Sequence, residues 1–583
     1  MKNKKILIIL ILASGIVYAN SLFSGFVWSD KSLILKKQEF FHHPGNALVL
    51  LTSPDMALDD NETTPYYRPL NTLTYMLDSY IWGTGPFGYH LENVLLHVLV
   101  AVFFYMLLME VFEDKRLAFI SALLFSVYPV NAEAVNAVFN RNVILCALFS
   151  AACLICVKKS GPKWTGAALL FYLLALLSKE PAVVLPFFLF SFRFAEGRAG
   201  QERPKSRKGL VYGFLIITVL YFIVRHLVLG AFTSKAGIEL SYERLKLISS
   251  VYFEHFRLMV FPFKLNANYT AGWLSFSWYK AVGAIVGIIL MVYFSLAKRT
   301  PGPVRAGVLW IFWGLLPVSN IVKIPSAPVA EKYQYFIIAG FCLILGYIIS
   351  GLHKRNAISG SAIVIALTIA LGARTFERNF VWRDDMSLYS SMTDADPGNA
   401  LAHCNLGSIY AGQGNIDTAM REFNTALSLN PGLAKVWMNL GAISSGRGLL
   451  AESERQLNMA LRLDPRLAGA HVDLGVTYFR EGRLSDSERE LTAALAIDPD
   501  FAQAHLDLGI IFDQEGRTDE AVRQYRTAAK LDTGLLKAHL LLGKCYQKQG
   551  DLEAAADEFQ YILKLDPGNE QAMEGLDQIG NRR

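Results

Sequence analysis

Asp30 is the residue whose type and position point most directly to chemistry. It ends the sequence Trp28-Ser29-Asp30, just after the first apolar run, 6–26. If that run crosses a membrane, Asp30 lies where an apolar helix meets water, and an ionisable group there costs free energy unless it is paired, solvated or used. Asp30 is therefore a candidate for catalysis. The alternative is that Ser29 or Asp30 caps a short interfacial helix.

Seven further ionisable residues border apolar segments: Arg68, Glu133, Arg141, Lys179, Glu180, Glu331 and Lys332. A carboxylate in such a place can accept the proton of an attacking hydroxyl. Basic side chains can hold an anionic leaving group such as a phosphate, to which arginine offers two parallel hydrogen bonds. Each residue also has a structural alternative, such as a snorkelling Arg68 or an ion pair of Glu133 with Arg141. Their predicted convergence on one membrane face favours a site.

The elements that must position these residues are membrane helices. With 583 residues, 53% of them apolar and only 18% charged, the composition excludes a single soluble domain and is typical of a membrane protein with a water-soluble part. We interpret the first apolar run as a retained signal anchor rather than a cleaved signal peptide. Runs able to cross about 30 Å predict about eleven spans in an all-α bundle. They lie at 6–26, 90–111, 117–131, 142–157, 164–179, 181–194, 209–229, 278–297, 305–322, 333–351 and 357–373.

The distribution of charge predicts which loops share a side. The loops at 113–116, 158–163, 193–208, 298–305 and 353–355 are basic or flanked by basic residues, which is typical of cytoplasmic loops. The alternate loops are poorer in positive charge and contain all eight candidate residues. With the N-terminus in the cytoplasm and an odd number of spans, everything after residue 373 lies on the extracytoplasmic side. The sequence after 399 has 19 Lys and Arg against 26 Asp and Glu, so it carries −7 and residues 1–399 carry +13.

A 34-residue repeat fills the C-terminal part. The pair Leu-Gly recurs at 406–407, 440–441, 474–475, 508–509 and 542–543. This is the tetratricopeptide pattern of paired helices, in which small residues allow close approach and a proline ends the second helix. We predict a membrane domain over 1–375, a linker over 376–399, five repeats over 400–569 and a capping helix over 570–583. Such arrays form superhelices whose concave face commonly holds a peptide segment.

The order of short motifs resembles the transmembrane and tetratricopeptide repeat-containing family, which belongs to the GT-C superfamily of membrane glycosyltransferases. The resemblance covers nearly the whole chain and rests on several segments that are specific together. They are 25–30 (GFVWSD), 67–74 (YRPLNTLT), 88–97, 128–135 (YPVNAEAV), 140–141, 177–180 (LSKE), 316–320 (LPVSN), 330–335 and 378–383.

The resemblance implies an enzyme that transfers a sugar, typically mannose, from a polyprenyl- or dolichyl-phosphate donor to a hydroxyl acceptor. It makes Asp30 the catalytic base or the organiser of the acceptor. It makes Arg68, Arg141, Lys179 and Lys332 candidates for binding the donor phosphate, and Glu133, Glu180 and Glu331 candidates for acceptor or supporting contacts.

Three positions depart from the pattern of the family. Ser29 stands where a second acid is expected, Tyr128 and Asn131 stand where histidines are expected, and Lys332 stands where arginine is expected. These changes bear on donor identity, on any use of metal and on activity itself. No cluster of His, Cys and carboxylates in the sequence demands a metal, although a divalent ion is not excluded, and no cofactor is expected beyond the lipid-linked sugar.

We predict a membrane glycosyltransferase whose acceptor is Ser or Thr of a protein held by the repeat array. Its partners would be membrane lipid, the lipid-phosphate sugar and the acceptor polypeptide, with no nucleic acid. The compact chain favours a bacterial inner membrane, with the array in the periplasm, over an endoplasmic reticulum with the array in the lumen. Two alternatives stay open, which are a non-catalytic membrane-anchored scaffold for envelope or secretory assembly, and a ligase or polymerase of lipid-linked glycans.

Overall fold

A computed structural model describes residues 2–54, 66–188, 191, 208–230, 241–322 and 327–580. The described residues form helices and loops, and no β-strand occurs among them. The chain divides into two compact units, Met1–Gly398 and Asn399–Arg583. The all-α fold predicted from the sequence is therefore confirmed, and each unit can be described by itself.

The first unit contains the apolar helices. In chain order its α-helices are Lys2–Val17, Gln38–Phe41, Asn46–Thr52, Pro69–Trp82, Pro86–Phe112, Lys115–Ser126, Ala132–Asn136, Arg141–Lys158, Pro162–Ser178, Lys208–Leu229, Tyr242–Val260, Trp278–Leu296, Gly302–Leu315, Gln334–Arg355, Ala357–Asn379 and Asp385–Ala395. Short 3-10 turns at Pro129–Asn131, Val138–Asn140, Glu180–Val184 and Glu331–Tyr333 carry several candidate residues.

Helix boundaries follow local sequence signals. Pro86 starts the longest helix, where its missing N–H is not needed, and Glu113 ends that helix in a left-handed conformation. Asp114 then caps the next helix, because its carboxylate accepts the backbone N–H groups of Arg116 at 3.0 Å and of Leu117 at 3.1 Å. The sharp turn between two apolar helices is therefore encoded by two consecutive acidic residues, Glu113 and Asp114.

Six described helices are long and apolar enough to cross a membrane. They are Pro86–Phe112, Val138–Lys158, Gly209–Leu229, Trp278–Leu296, Glu331–Arg355 and Ala357–Trp382; the bent pair Lys115–Ser126 and Pro129–Asn136 makes a possible seventh. The predicted number of about eleven stays a prediction. The helix Lys2–Val17 has only 16 residues, the segments Pro162–Ser178 and Gly302–Val318 are short, and most of the second half of the run 181–194 lies outside the described residues.

Burial separates central from peripheral spans. The apolar window of Val138–Lys158 is 89% buried by protein, whereas those of Gly209–Leu229 and Ala357–Trp382 are only 11% buried. An apolar helix with little protein around it needs lipid as its solvent, whereas a helix that is apolar all round and covered by protein lies in a core. The helix that begins at Arg141 is therefore at the centre of the unit.

The segment 376–399, predicted as a linker, is mostly helical. It contains the end of the helix Ala357–Asn379, a short turn at Phe380–Trp382 and the helix Asp385–Ala395. Trp382 in this segment is fully buried. The segment therefore packs within the first unit, and its polar composition reflects capping and ion pairs rather than an extended connection.

The second unit is an array of helix pairs. Its helices are Ala400–Gly412, Ile416–Leu429, Ala434–Gly446, Leu450–Leu463, Ala468–Arg480, Leu484–Ile497, Ala502–Gln514, Thr518–Leu531, Leu536–Gln549, Leu552–Leu565 and Glu570–Gly580. The two helices of each pair are joined by a turn that contains a glycine with φ between +76° and +84°, and these glycines recur at 34-residue spacing from Gly414 to Gly550. The predicted tetratricopeptide architecture is confirmed.

The glycine of each Leu-Gly pair has a packing role. A Cβ on Gly509 would lie 2.6 Å from the ring of Tyr525, and one on Gly407 would lie 2.6 Å from the ring of Phe423. Each of these large residues comes from the second helix of the same repeat, 16 positions later. The repeat therefore conserves a small-against-large contact along the array, and this contact sets the distance between paired helices.

Candidate active site

Asp30 is fully buried at a junction between two loops. Its carboxylate accepts backbone N–H groups from Phe139 at 2.7 Å, Val138 at 3.3 Å and Val27 at 3.4 Å. Asp30 precedes a helical turn at Lys31–Leu35, but its side chain does not cap that turn. The capping alternative is therefore wrong for Asp30, since its carboxylate joins the first outer loop to the turn 137–140.

Burial and hydrogen bonding act on Asp30 in opposite directions. Removal from water raises the pKa of Asp30, the three N–H donors lower it, and the nearby charge of Asp385 raises it, which together place it at about 7. A carboxyl group that is half ionised near neutral pH suits general base catalysis, because it is both available as the base and strong enough to take a proton.

Asp385 holds the loop that carries Asp30. Its carboxylate accepts the backbone N–H of Trp28 at 2.8 Å and pairs with the ammonium group of Lys31 at 2.5 Å. The N–H of Gly25 donates to the carbonyl of Arg383 at 2.9 Å. Trp28 has φ +52°, an unfavourable value for a residue with a large side chain. The contacts from 383–385 therefore maintain a loop conformation that the local sequence does not favour.

Glu133 and Lys332 form the next part of the site. Glu133 is fully buried and accepts the backbone N–H of Lys332 at 2.8 Å, while the ammonium group of Lys332 lies 3.4 Å from its other oxygen. The same ammonium group lies 5.1 Å from the ring centre of Phe139, whose N–H binds Asp30. Glu133 thus pairs with Lys332 and not with Arg141, and Phe139 contacts both the base candidate and the cation.

Lys179 extends the cationic side of the site. Burial and the neighbouring charges of Arg68 and Lys332 lower the pKa of Lys179, Glu180 opposes them, and the net value is about 7. Its ammonium group lies 5.7 Å from the ring centre of Tyr333. An anion placed among these three basic residues would relieve their repulsion and restore the full charge of Lys179.

An apolar slot opens beside the two lysines. Lys179, Lys332 and Tyr333 lie at its polar side, and the rest of its lining is almost entirely apolar, from 143–150, 181–185, 314–318 and Phe336. The slot is narrow: its cavity volume is about 40 Å³, and the empty space measures about 530 Å³ only when the part that opens to solvent is included. Apolar walls next to two cations suit an amphiphile with an anionic head group.

Arg68 and Glu180 form a two-point ion pair. The Nε and Nη2 atoms of Arg68 donate to the carboxylate of Glu180 at 2.9 to 3.3 Å, and the guanidinium carbon lies 4.0 Å from the ring centre of Tyr66. Although burial opposes the charged form, Arg68 holds the pKa of Glu180 below its ordinary value. Both side chains are partly exposed, so they lie at the edge of the site.

Arg141 lies in a separate buried network. Its guanidinium group binds Asp78, lies 3.3 Å from Glu92, and donates to the side chain of Asn93 at 2.8 Å and to the carbonyl of Tyr89 at 3.2 Å. The side chains of Arg141 and Asp78 are both fully buried. This geometry gives Arg141 a structural role between helices, and its predicted contact with a donor phosphate stays a prediction.

Glu331 joins the site to the end of the helix Ala357–Asn379. It is fully buried, and Arg378 donates to it at 2.9 Å.

The departures from the family pattern also have structural partners. The hydroxyl of Tyr128 donates to the carbonyl of Met259, and the amide of Asn131 donates to the carbonyl of Phe125 at 2.8 Å.

The structure thus brings seven of the eight predicted residues into one region through a continuous series of contacts and leaves Arg141 apart from them. Sequence reasoning missed Asp78 and Asp385, and it included Arg378 only in the motif 378–383, without a role. A signal existed for Asp78, because an acid inside an apolar helix needs a partner. Asp385 follows a polar segment and gave no such signal. Among the described residues no group of three His, Cys, Asp or Glu could hold a metal ion.

Comparison with known proteins finds family models that match parts of both units. A family described as dolichyl-phosphate-mannose-protein mannosyltransferase matches residues 69–229. Tetratricopeptide repeat families match 400–433, 472–535 and 506–570. The mannosyltransferase match thus covers several candidate residues of the slot and the ion pair, though it does not reach Asp30 or Lys332.

Curated relatives match most of the chain. The protein O-mannosyl-transferase F38B6.6 of Caenorhabditis elegans is 27% identical over 443 residues, which cover 73% of this chain and 62% of that protein. The mouse protein O-mannosyl-transferase TMTC3 is 26% identical, and the match covers 72% of this chain and 50% of that protein. Human TMTC1 is 25% identical, and the match covers 72% of this chain and 54% of that protein. The chain thus spans about half to three fifths of the length of the curated relatives it matches.

Among solved structures, the crystal structure of PilW, a widely conserved type IV pilus biogenesis factor, is 23% identical. The match covers 38% of this chain and 99% of that chain, with a TM-score of 0.30, which is too low to support an inference. The family matches and the curated relatives confirm the predicted resemblance to the transmembrane and tetratricopeptide repeat-containing proteins.

Proposed function

We propose that this chain, a relative of protein O-mannosyl-transferases, transfers a mannosyl group from a polyprenyl-phosphate donor to a hydroxyl group of a protein. The observation that carries the proposal is the slot between Lys179 and Lys332. Its apolar walls suit the hydrocarbon part of the donor, and its two ammonium groups suit the phosphate.

The reaction would be a single displacement at the anomeric carbon. The acceptor oxygen forms a bond to that carbon as the bond from the carbon to the phosphate oxygen breaks. Asp30 takes the proton of the acceptor hydroxyl, and the lipid phosphate leaves with the bonding electron pair toward the lysines. Phe139 supports this arrangement, because its N–H binds Asp30 and its ring lies beside the Lys332 ammonium group.

The proposed face of transfer is extracytoplasmic. Lys354 lies 3.4 Å from Asp114, so two of the predicted cytoplasmic loops contact one another. The contacts among Asp30, Glu133, Lys179 and Lys332 join the loops predicted for the opposite side. This division supports an active site that opens away from the cytoplasm, with the repeat array binding the acceptor polypeptide in the same compartment.

A direct assay tests the proposal. Purified protein in nanodiscs is incubated with polyprenyl-phosphate mannose and a Ser/Thr-rich peptide, and both released lipid phosphate and mannosylated peptide are measured. Asp30→Asn should lower the rate by about a hundredfold or more, because general base catalysis contributes about 10²- to 10⁴-fold. Asp55→Asn, in the same outer loop region of the sequence, serves as a control. Full activity in a folded Asp30→Asn protein would refute the role of Asp30.

Two other results would change the assignment. Wild-type protein that releases no lipid phosphate from any candidate donor would favour the scaffold, in which the helices only anchor the array. Transfer to a saccharide but not to the peptide would favour the glycan ligase or polymerase.

A further inference from the structure

A second cavity lies in the first unit, away from the lysine slot. It has a volume of about 370 Å³ and lies between the loop 263–273, the end of the helix Ala357–Asn379 and the helix Asp385–Ala395. This volume is within the range of small-molecule sites. The apolar slot and this cavity share no lining residue.

Two arginines in the cavity have unused hydrogen-bond donors. Arg378 is 97% buried at its side chain, where it binds Glu331 at 2.9 Å and the hydroxyl of Ser391 at 3.4 Å. Arg374 binds Glu377 at 2.6 Å and the carbonyl of Phe263 at 2.6 Å. The Nε atom of each arginine is buried without a partner among the described residues. These Nε atoms are themselves covered by protein, so they are not part of the cavity surface.

The charges that line the cavity nearly cancel. Lys264, Arg374 and Arg378 contribute positive charge, while Glu377 and Asp394 contribute negative charge, and Glu331 lies behind Arg378. Such a cavity has both donors and acceptors but little net charge. A strongly anionic ligand is therefore disfavoured, and a neutral ligand with many hydroxyl groups can pair with both kinds of group.

An aromatic residue completes the lining. Trp273 forms part of the wall, with Leu265 and Val381 as its apolar neighbours in the cavity. A hexose has one face of C–H groups that packs against an indole ring, and its edges carry hydroxyl groups for the polar side chains. The Trp273 ring already has Arg257 at 5.9 Å from its centre and Tyr269 in an edge contact at 5.5 Å, so a sugar would use the part of the ring that these two residues leave open.

We infer that this cavity is a binding site for a neutral saccharide. The site is connected to the proposed transfer region, since Arg378 binds Glu331 and the next residue, Lys332, lines the slot. Under the proposed function, the bound saccharide would be a sugar of the acceptor. This identification of the ligand rests on the proposed function. Binding itself requires neither the lipid donor nor catalysis.

A binding experiment without donor tests the inference. The full chain in nanodiscs is titrated with methyl α-D-mannopyranoside, methyl α-D-glucopyranoside and N-acetylglucosamine, and binding is followed by saturation-transfer difference NMR. We expect saturable binding of at least one sugar. Trp273→Ala should weaken it by about tenfold, which corresponds to about 1.4 kcal/mol. Arg374→Gln should also weaken sugar binding, although Arg374 is less buried than Arg378.

Trp164→Ala is the matched control, because Trp164 stacks with Lys159 at a predicted cytoplasmic loop. It should bind the sugar as the wild type does. No saturable binding of any sugar, or equal loss in Trp273→Ala and Trp164→Ala, would overturn the inference. Preferential binding of an acidic peptide over all sugars would also overturn it. Asp30→Asn protein should bind the sugar normally, so failure of transfer and failure of the saccharide site are distinguishable.

Discussion

Burial moves the pKa values of both Asp30 and Lys179 to about 7, from opposite directions. In the free enzyme, Asp30 becomes a base as the pH rises through 7, while Lys179 loses its charge over the same range. At the residue scale, kcat/KM should therefore follow a narrow bell-shaped pH profile with its maximum near 7. Each limb of that profile can be assigned by substitution.

Lys179→Arg should remove the alkaline limb. Arginine keeps its charge at all accessible pH values, so phosphate binding no longer weakens as the pH rises. The acid limb, which reports Asp30, should remain. The measurement is the pH dependence of kcat/KM for lipid-phosphate release. An unchanged alkaline limb in Lys179→Arg would show that another group controls donor binding.

The network around Arg141 predicts a loss of stability rather than of donor affinity. Arg141→Gln leaves the buried carboxylate of Asp78 without its cation, and breaking a buried pair in this way costs about 3–5 kcal/mol. Thermal unfolding in detergent, together with the KM for the donor, checks this. Arg68→Gln is the control, because its pair with Glu180 is partly exposed and should cost less stability. A stable Arg141→Gln protein with a raised donor KM would instead support phosphate binding by Arg141.

At the scale of elements, the start of the helix Asp385–Ala395 determines the conformation of the loop that carries Asp30. Asp385→Asn removes the ion pair with Lys31 and weakens the bond to the N–H of Trp28. Transfer should fall by about tenfold, since misplacement of a catalytic group is costly. The acid limb of the pH profile should move to lower pH, because the charge of Asp385 raises the pKa of Asp30.

Asp384→Asn is the matched control for Asp385→Asn. Asp384 caps the same helix through the N–H of Ser387 at 2.8 Å but makes neither contact with the loop 25–31. Asp384→Asn should leave the acid limb of the pH profile at the same pH as in the wild type. If both variants shift the limb equally, the effect comes from the helix as a whole and not from the contact of Asp385.

The paired helices of each repeat depend on glycine at the crossing point. Gly509→Ala places a methyl group 2.6 Å from the Tyr525 ring, and such overpacking costs about 1–3 kcal/mol. Gly446→Ala meets no atom within 4 Å and should be neutral or slightly stabilising. Hydrogen exchange by mass spectrometry over 502–531 should show loss of protection only in Gly509→Ala. Equal protection in both variants would contradict the role of this contact.

At the scale of the whole molecule, the proposed reaction requires the site and the repeat array to share one compartment. Glu39 and Ser428 are exposed positions on the outer loop and the array, and Lys298 lies in a predicted cytoplasmic loop. All six native cysteines are buried, so single cysteines introduced at these positions give a clear signal. An impermeant maleimide applied to intact cells should label Glu39→Cys and Ser428→Cys but not Lys298→Cys.

Labelling of only one of the two expected positions would contradict the proposed mechanism. An acceptor held by the array could then not reach Asp30. The scaffold alternative makes a different prediction, since neutralising the charges of the lysine slot would leave its function unchanged.

Local sequence patterns were sufficient to predict the helices. A 34-residue period fixes the helix pairs of the array, because each pair is stabilised by contacts within and between adjacent repeats. Apolar length identified the longer spans, because a membrane requires a continuous apolar segment. Charge beside apolar segments supplied Asp30, Lys179 and Lys332 as candidates, and resemblance to a family gave their expected roles.

Tertiary structure alone decided which charges meet. Asp30 binds backbone N–H groups 108 and 109 residues later, and Glu133 binds the N–H of Lys332, 199 residues later. Arg141, for which an ion pair with Glu133 was one alternative, pairs instead with Asp78. Pairings of this kind leave no period in the sequence, because they depend on how separate helices pack. The sequence therefore determined the helices and the inventory of reactive groups, while packing decided which of these groups form the site.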